Sequence, residues 1–211
     1  MNHNCIICTS PTYLDTDQKG RIFHFCPKCR FISLDHSFHL TPSEEKKRYD
    51  LHNNSSDNPG YIQWLSRFAE IAVIPYVTTD KRILDFGSGP NPLLKELLEL
   101  KGYSVDIYDR YFHDYPYSGC YDMIISTEVI EHLKSPLKIL ESLKESLNEG
   151  GYLSLKTAFH PDEDSAFLKW WYKEDSTHIS FFSMKTFEYI SGKTGLKMHF
   201  CDRDSIMLFK N

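Results

Sequence analysis

Apolar residues in this chain fall into short runs separated by turns, and the spacing within the runs alternates between strand and helix periods. From Lys81 onward, "RILDF" (82–86), "YSVDIYD" (103–109), "YDMIIST" (121–127) and "YLSLKTA" (152–158) read as strands. Between them, "PLLKELLEL" places Leu93, Leu94, Leu97 and Leu98 on one side of a helix. "SPLKILESLKESLNEGG" predicts a second helix, with Ser135 as its cap, Pro136 at its first position and Gly150 at its end. Leu137, Leu140, Leu143 and Leu147 form its apolar stripe. Ser183 opens a further helix to about Lys193, and "LKMHFCDRD" with "IMLFK" closes the chain as a hairpin. Alternation of this kind predicts an α/β fold, a mostly parallel sheet covered on both faces and finished by an antiparallel C-terminal hairpin. Ligands of such sheets sit at the carboxyl ends of the strands.

Upstream the pattern changes. Tyr61, Trp64, Leu65, Phe68 and Ala72 recur at helical spacing behind a cap at Asp57 or Asn58 and Pro59. Residues 41–60 are polar and rich in turn formers, which suggests a connecting segment. Tyr49, His52 and Asn53 are unusual in a passive linker and make the segment a candidate cover for a site. The first 40 residues hold "CIIC" at Cys5–Cys8 and "CPKC" at Cys26–Cys29, flanked by the short strands "RIFHF" and "RFISL". Two such turns brought together by a hairpin supply the four sulfurs that tetrahedral zinc accepts. A pair of disulfides is the alternative, and a reducing compartment disfavours it. The expected organisation is a zinc ribbon over 1–40, a connector over 41–58 and an α/β domain over 59–211.

Composition narrows the partners. A hydrophobic share of 41% over 211 residues supports one buried core plus a small appendage. No apolar run approaches the roughly 18 residues of a membrane span, and "MNHNCIICTS" lacks the features of a signal peptide. A cytoplasmic protein is therefore expected. The net charge of −5 gives no general attraction to nucleic acid.

Candidate chemistry centres on "DFGSGPNPLL" (85–94), a glycine turn between a strand and a helix. Pro92 stands where a dinucleotide fingerprint needs its third glycine, and the G-K-[ST] of a phosphate-binding loop is absent. The shorter turn D-x-G-x-G lets backbone approach a ligand without demanding a pyrophosphate. Asp109, 22 residues beyond Gly87, ends the next strand, where a carboxylate can accept ribose hydroxyls. "YDMIISTEVIEHL" then runs from a strand into Glu128, with Glu131 and His132 read as the start of the following helix.

"ILDFGSG", the acidic strand end at Asp109 and "YDMIISTEVIEHL" resemble the class I S-adenosylmethionine-dependent methyltransferases over roughly residues 60–211. With the cysteine-rich start, "RYDLHNNSSDNPGY" and "WWYKEDSTHISFF", the chain is similar to small bacterial members that carry a zinc ribbon. The resemblance implies a Rossmann-like sheet, with Asp85, Gly87 and Gly89 beneath the methionine part of the cofactor. It also implies Asp109 on the ribose and Glu128 near the methionine end. Asn91 stands where many members have a third glycine, and asparagine tolerates left-handed backbone. Only Arg110 to Cys120 separate the second strand from "YDMIIS", too short for the usual helix and edge strand. That strand is expected to be missing or vestigial, which leaves Tyr111, Phe112 and Asp114 as the available adenine contacts.

Methyl transfer requires the acceptor to be held in line, and a hydroxyl or neutral amine acceptor also benefits from a base. Histidines 132, 160 and 178 follow the carboxyl ends of strands. His178, with Asp175 to orient it and Tyr172 and Phe181 as walls, is the candidate base. His52 is the second catalytic candidate. The long segment "FHPDEDSAFLKWWYKEDST" (159–177) is expected to meet residues 49–61 above the cofactor. The expected acceptor is a small, flat or partly apolar molecule. An RNA acceptor gripped by the ribbon and a non-catalytic cofactor-binding regulator are the competing readings.

Overall fold

The computed structural model describes residues 3–50 and 57–211. Strands β1 (Tyr13–Thr16), β2 (Ile22–Phe25) and β3 (Ile32–Leu34) form an antiparallel ribbon, followed by helices α1 (Pro42–Tyr49) and α2 (Pro59–Ala72). The main unit then runs through β4 (Arg82–Phe86), α3 (Leu93–Glu99), β5 (Ser104–Tyr108), β6 (Tyr121–Thr127), α4 (Pro136–Glu145) and β7 (Leu147–Lys156). A short helix α5 (Asp164–Phe167), strand β8 (Ser180–Phe181), helix α6 (Met184–Thr194) and strands β9 (Lys197–Cys201) and β10 (Ile206–Lys210) complete it.

The large sheet has the order β5-β4-β6-β7-β10-β9. Its first four strands are parallel, and β10 runs antiparallel between β7 and β9, as the hairpin pattern predicts. β5 is the edge. Between β5 and β6 the described chain makes only an isolated bridge, Asp109 to His113, so the edge strand expected to be lost is lost.

Strand alternation sorts the core into two layers. Ile83, Met123, Ile125, Ile206 and Leu208 face α2 and α3, where Leu65, Phe68, Ala72, Leu94 and Leu98 cover them. Leu84, Ile124, Leu153, Leu155, Met207 and Phe209 point the other way, against Leu140, Leu143, Phe187 and Ile190 of α4 and α6.

Two elements depart from expectation. The helix expected to reach Gly150 ends at Glu145, and Leu147 begins β7 in register with Tyr121. Leu147 is buried as expected, but as a strand residue, because pairing along β6 outweighs its helical spacing. At Gly151 a Cβ would lie 2.9 Å from the Asn148 carbonyl oxygen and 3.0 Å from that of Asp122, so the strand can turn there only on glycine. The polar segment 41–50 is also not a plain connector. Thr41 caps α1 with a full capping box through Glu44, although no residue of that helix is buried.

The ribbon is bonded into the main unit. β8 pairs antiparallel with β3, so the small sheet reads β1-β2-β3-β8. Phe23, Phe25, Ile32 and Leu34 share a separate apolar cluster with Phe167, Tyr172, Ile179 and Phe181. Thr186 donates to the Cys29 carbonyl at 3.0 Å, and His160 Nε2 lies 2.6 Å from that of Arg30.

Candidate active site

A cavity of about 1020 Å³ opens at the carboxyl ends of β4, β5 and β6. Asp85, Gly87, Gly89 and Asp109 all line it, as does Glu128. Gly87 (φ +84°) and Gly89 (φ +67°) adopt backbone that favours glycine, but for different neighbours. A Cβ on Gly87 would stand 2.2 Å from Val129 Cγ2, so the loop after β6 packs directly on that residue. A Cβ on Gly89 would meet nothing within 4 Å, and its N–H donates to Asp109 Oδ2 at 3.0 Å. The other carboxylate oxygen of Asp109 accepts from the N–H groups of Tyr111 (2.9 Å) and Phe112 (3.3 Å). Asp109 thus fixes the glycine turn and the loop after β5 at the same point. Asn91 also lines the cavity, yet its φ is not positive, so this position does not need the left-handed backbone that asparagine tolerates. Asp85 is only 2% exposed, and burial together with the Asp109 charge pushes its carboxyl up to about 7.

The opposite wall comes from α1, the loop after β6 and the segment before β8. Glu128 sits in left-handed backbone (φ +55°), uncommon for a residue with a side chain, and its N–H bonds the Lys156 carbonyl at 2.8 Å. Its Oε2 lies 2.9 Å from the Tyr172 hydroxyl, which also bonds Glu131 Oε1. Burial raises both carboxyls above the usual range, and the Glu131 charge raises Glu128 further. Glu131 was expected to open a helix. It instead belongs to a single tight turn, Ile130–His132, and is fully buried. Sequence reading passed over it because i, i+3 acids beside an apolar run look like an ordinary exposed helix start. The available signal was the E-x-x-E-H string directly at a strand end.

His178 lines this wall. Its Nδ1 donates to the Tyr172 carbonyl at 2.7 Å, and its ring packs on Tyr172 (centroids 4.2 Å) and His132 (4.7 Å). Asp175, the expected orienting group, accepts from the Thr177 N–H and hydroxyl through Oδ1 and from Arg48 through Oδ2 at 3.0 Å. His132 Nδ1 lies 3.0 Å from the Thr177 carbonyl oxygen, and burial lowers its pKa. The α1 segment closes over these rings. Tyr49 packs on Tyr111 and His132, and Glu45 accepts from the Tyr111 hydroxyl at 2.6 Å. Arg48, the residue before the segment 49–61, therefore ties α1 to Asp175 in the segment 159–177. Phe181 belongs to the ribbon-side cluster and does not line the cavity. His160 is likewise held between the Arg30 and Pro161 carbonyls, away from the cavity lining. His52 lies outside the described residues.

Residues 55–199, including every cavity element from α2 to His178, match a methyltransferase domain family. The chain belongs to that family. Among solved structures, this chain is similar to the pyocyanin biosynthetic protein PhzM, with a TM-score of 0.56 and 11% identity. That match covers 79% of this chain and 61% of PhzM. Magnesium protoporphyrin IX methyltransferase from Synechocystis PCC 6803 with bound SAM gives 0.51 and 14%, over 82% and 93% of the two chains. An O-methyltransferase family 2 protein from Planctomyces limnophilus DSM 3776 in complex with apigenin gives 0.50 and 14%, over 70% and 57%. The chain thus spans less than two thirds of the first and third of these relatives. At such identities the likeness is one of fold. None of the curated proteins matches the sequence.

Near the start of the chain, Cys5, Cys8, Cys26 and Cys29 converge as four buried thiols. Sγ separations are 3.5 Å for Cys5–Cys29, 3.4 Å for Cys8–Cys26 and 3.5 Å for Cys26–Cys29. A disulfide needs about 2.05 Å, whereas zinc–sulfur bonds of about 2.3 Å in a tetrahedron place sulfurs roughly 3.8 Å apart. The two turns repeat each other in detail. In each, the residue after the second cysteine (Thr9, Arg30) has φ +61° and donates its N–H to the first cysteine's carbonyl. Ile7 and Cys29 each direct an N–H at the first sulfur of their turn, at 3.4 Å. The donor set and spacing suit one four-thiolate metal ion.

Proposed function

We propose that this protein is an S-adenosylmethionine-dependent methyltransferase acting on a small, partly aromatic or apolar acceptor. The observation that carries the reading is one continuous cavity, lined by the glycine turn and Asp109 on one side and by the Tyr49, Tyr172, His132 and His178 rings on the other. Its volume is at the upper end of the roughly 300–1,000 Å³ of ordinary ligand pockets, enough for cofactor and small acceptor together. Asp109 would hold the ribose, Gly87 and Gly89 the turn beneath the methionine part, and Asp85 and Glu128 the edges of that site. Bound there, the cofactor would supply an electrophilic methyl group on its sulfonium. Gly89 supports the assignment, because no atom lies within 4 Å of where its Cβ would stand, which leaves open space at the turn beside Asp109.

On the acceptor side, α1 and residues 159–177 exclude water and hold the acceptor in line, where positioning contributes most of the rate. His178 is assigned to activating the acceptor, and His52, in the segment joining α1 to α2, to the same cover. The ribbon of residues 1–40 carries one structural zinc on Cys5, Cys8, Cys26 and Cys29, since four thiolates leave no open position for catalysis. Calorimetric titration with S-adenosylhomocysteine tests the cofactor reading, and no binding to the folded protein would overturn it. Labelled cofactor added to a cell extract, followed by fractionation, tests the acceptor class. Label found only in RNA would replace the small molecule with a nucleic acid.

A further inference from the structure

Behind the rings of the acceptor wall, a carboxylate and two imidazoles meet. Glu131, His132 and His178 each offer one ligand atom, and the three atoms lie within 4.8 Å of one another. Bonds of about 2.0–2.2 Å to a common ion would set such atoms roughly 3–4 Å apart, a small adjustment from this arrangement. Each histidine also has the support typical of a metal ligand. His178 Nδ1 donates to the Tyr172 carbonyl and His132 Nδ1 to that of Thr177, which places the lone pair of each ring on Nε2.

The carboxylate supplies an independent observation. Glu131 has no solvent exposure, and its Oε2 has no hydrogen-bond partner. A buried carboxylate oxygen without a partner is costly, and native proteins retain one where something else satisfies it. The neighbouring bonds add to the imbalance. Glu128 Oε2 and Glu131 Oε1 both contact the Tyr172 hydroxyl, which has one proton to give. Two carboxylates on one phenol leave an acceptor oxygen over at the point where the imidazoles converge, and a cation there would satisfy it.

We propose that Glu131, His132 and His178 bind one divalent first-row transition ion at the wall of the cavity, with its remaining positions open to an oxygen of the acceptor. Two imidazoles and one carboxylate suit Zn²⁺, Fe²⁺ or Mn²⁺ better than Mg²⁺ or Ca²⁺, which prefer all-oxygen sites. His132 and His178 line the cavity while Glu131 lies behind them, so the ligands approach from one side and the open side faces the acceptor. The inference rests on the methyltransferase reading for what it says of the acceptor, and it specifies how His178 acts. The imidazole holds the ion, and the ion fixes the acceptor oxygen and favours its deprotonated form.

The test is a Mn²⁺ titration of the full chain loaded with one equivalent of zinc, which the four thiolates take first, followed by loss of the six-line electron paramagnetic resonance signal of aqueous Mn²⁺. One site per chain is expected. Glu131→Gln and, separately, His132→Ala should each weaken it about tenfold or more, with the thermal midpoint of each variant confirming its fold. A wild-type chain that takes up no Mn²⁺, or unchanged affinity in both folded variants, overturns the proposal. S-adenosylhomocysteine binding is measured on the same samples. Its absence beside an intact Mn²⁺ site would count against the methyltransferase reading alone.

Discussion

At Gly87 and Gly89 one sequence feature, D-x-G-x-G, serves two physical needs, and substitution separates them. Gly87→Ala places a methyl group 2.2 Å from Val129 and keeps φ at +84°. It should lower stability by about 2 kcal/mol or more, read as a fall in the thermal midpoint. Gly89→Ala meets no atom within 4 Å, so only its φ of +67° is penalised, by about 1–2 kcal/mol. The larger effect of Gly89→Ala should be on S-adenosylhomocysteine affinity, because its Cβ would project into the site. Equal affinity for wild type and Gly89→Ala would remove the turn from the cofactor site. Asp109→Ala should cost about 1.5–3 kcal/mol of cofactor binding, measured by calorimetry. Its bonds to Gly89, Tyr111 and Phe112 mean that the turn loosens as well, so Asp109→Asn, which retains one carbonyl oxygen, should lose less. These residues were legible in the sequence because backbone geometry selects glycine and a strand end selects the acid. Glu131 was not, since its burial depends on Tyr172, 41 residues away in the chain.

The elements show the same division between local and distant causes. Strands β4, β6 and β10 follow from short apolar runs alone, and α6 from Ser183, whose capping box the structure contains. Helix α1 was also written locally, in the T-x-x-E of Thr41 to Glu44, but its polar composition argued for a loop. The end of α4 was not local, since Leu147 joins β7 by pairing with β6. A similar long-range dependence joins β1 and β2 to the Trp171–Glu174 turn through Asp17 and Lys173, whose side chains are 1% and 2% exposed and 3.0 Å apart. Burial alone would raise the Asp17 carboxyl, but Lys173 and Arg21 outweigh it and hold it at about 2. Because the folded value lies below the ordinary 3.8, the group contributes stability above that pH, about 2 kcal/mol, and loses it as pH falls toward 2. Asp17→Asn leaves the buried Lys173 ammonium paired with Glu174 alone and should cost about 2 kcal/mol at pH 7. In urea unfolding, the gap between wild type and Asp17→Asn should narrow from pH 5 to pH 2. A gap that stays constant with pH would mean the pair contributes nothing electrostatic.

At the scale of the whole molecule, the ribbon and the cavity are one mechanical unit, and this decides what the four cysteines are for. The ribbon meets the main unit through β8, through Phe23 and Phe25 on Phe167, and through Arg21 and Lys19 on Glu174. With Thr186 on the Cys29 carbonyl and His160 on that of Arg30, these contacts fall on residues 160–186, which include the stretch that places Tyr172 and His178 in the cavity wall. The glycine turn and Asp109 are held instead by β4, β5 and the loop after β6, with no contact to the ribbon among the bonds described. Loss of the zinc proposed for the ribbon should therefore damage the two walls unequally. Removing zinc with a chelator, or introducing Cys29→Ser, should lower the thermal midpoint and shift the near-ultraviolet circular dichroism of Trp170 and Trp171, which pack on Tyr172. S-adenosylhomocysteine affinity should change far less, by less than the tenfold that about 1.4 kcal/mol represents. If the ribbon were an independent RNA grip, zinc removal would leave the tryptophan signal unchanged and weaken a salt-dependent interaction with bulk RNA instead. The cysteines are then best understood as support for the acceptor wall, and the unequal response of the two walls is the measurement that decides it.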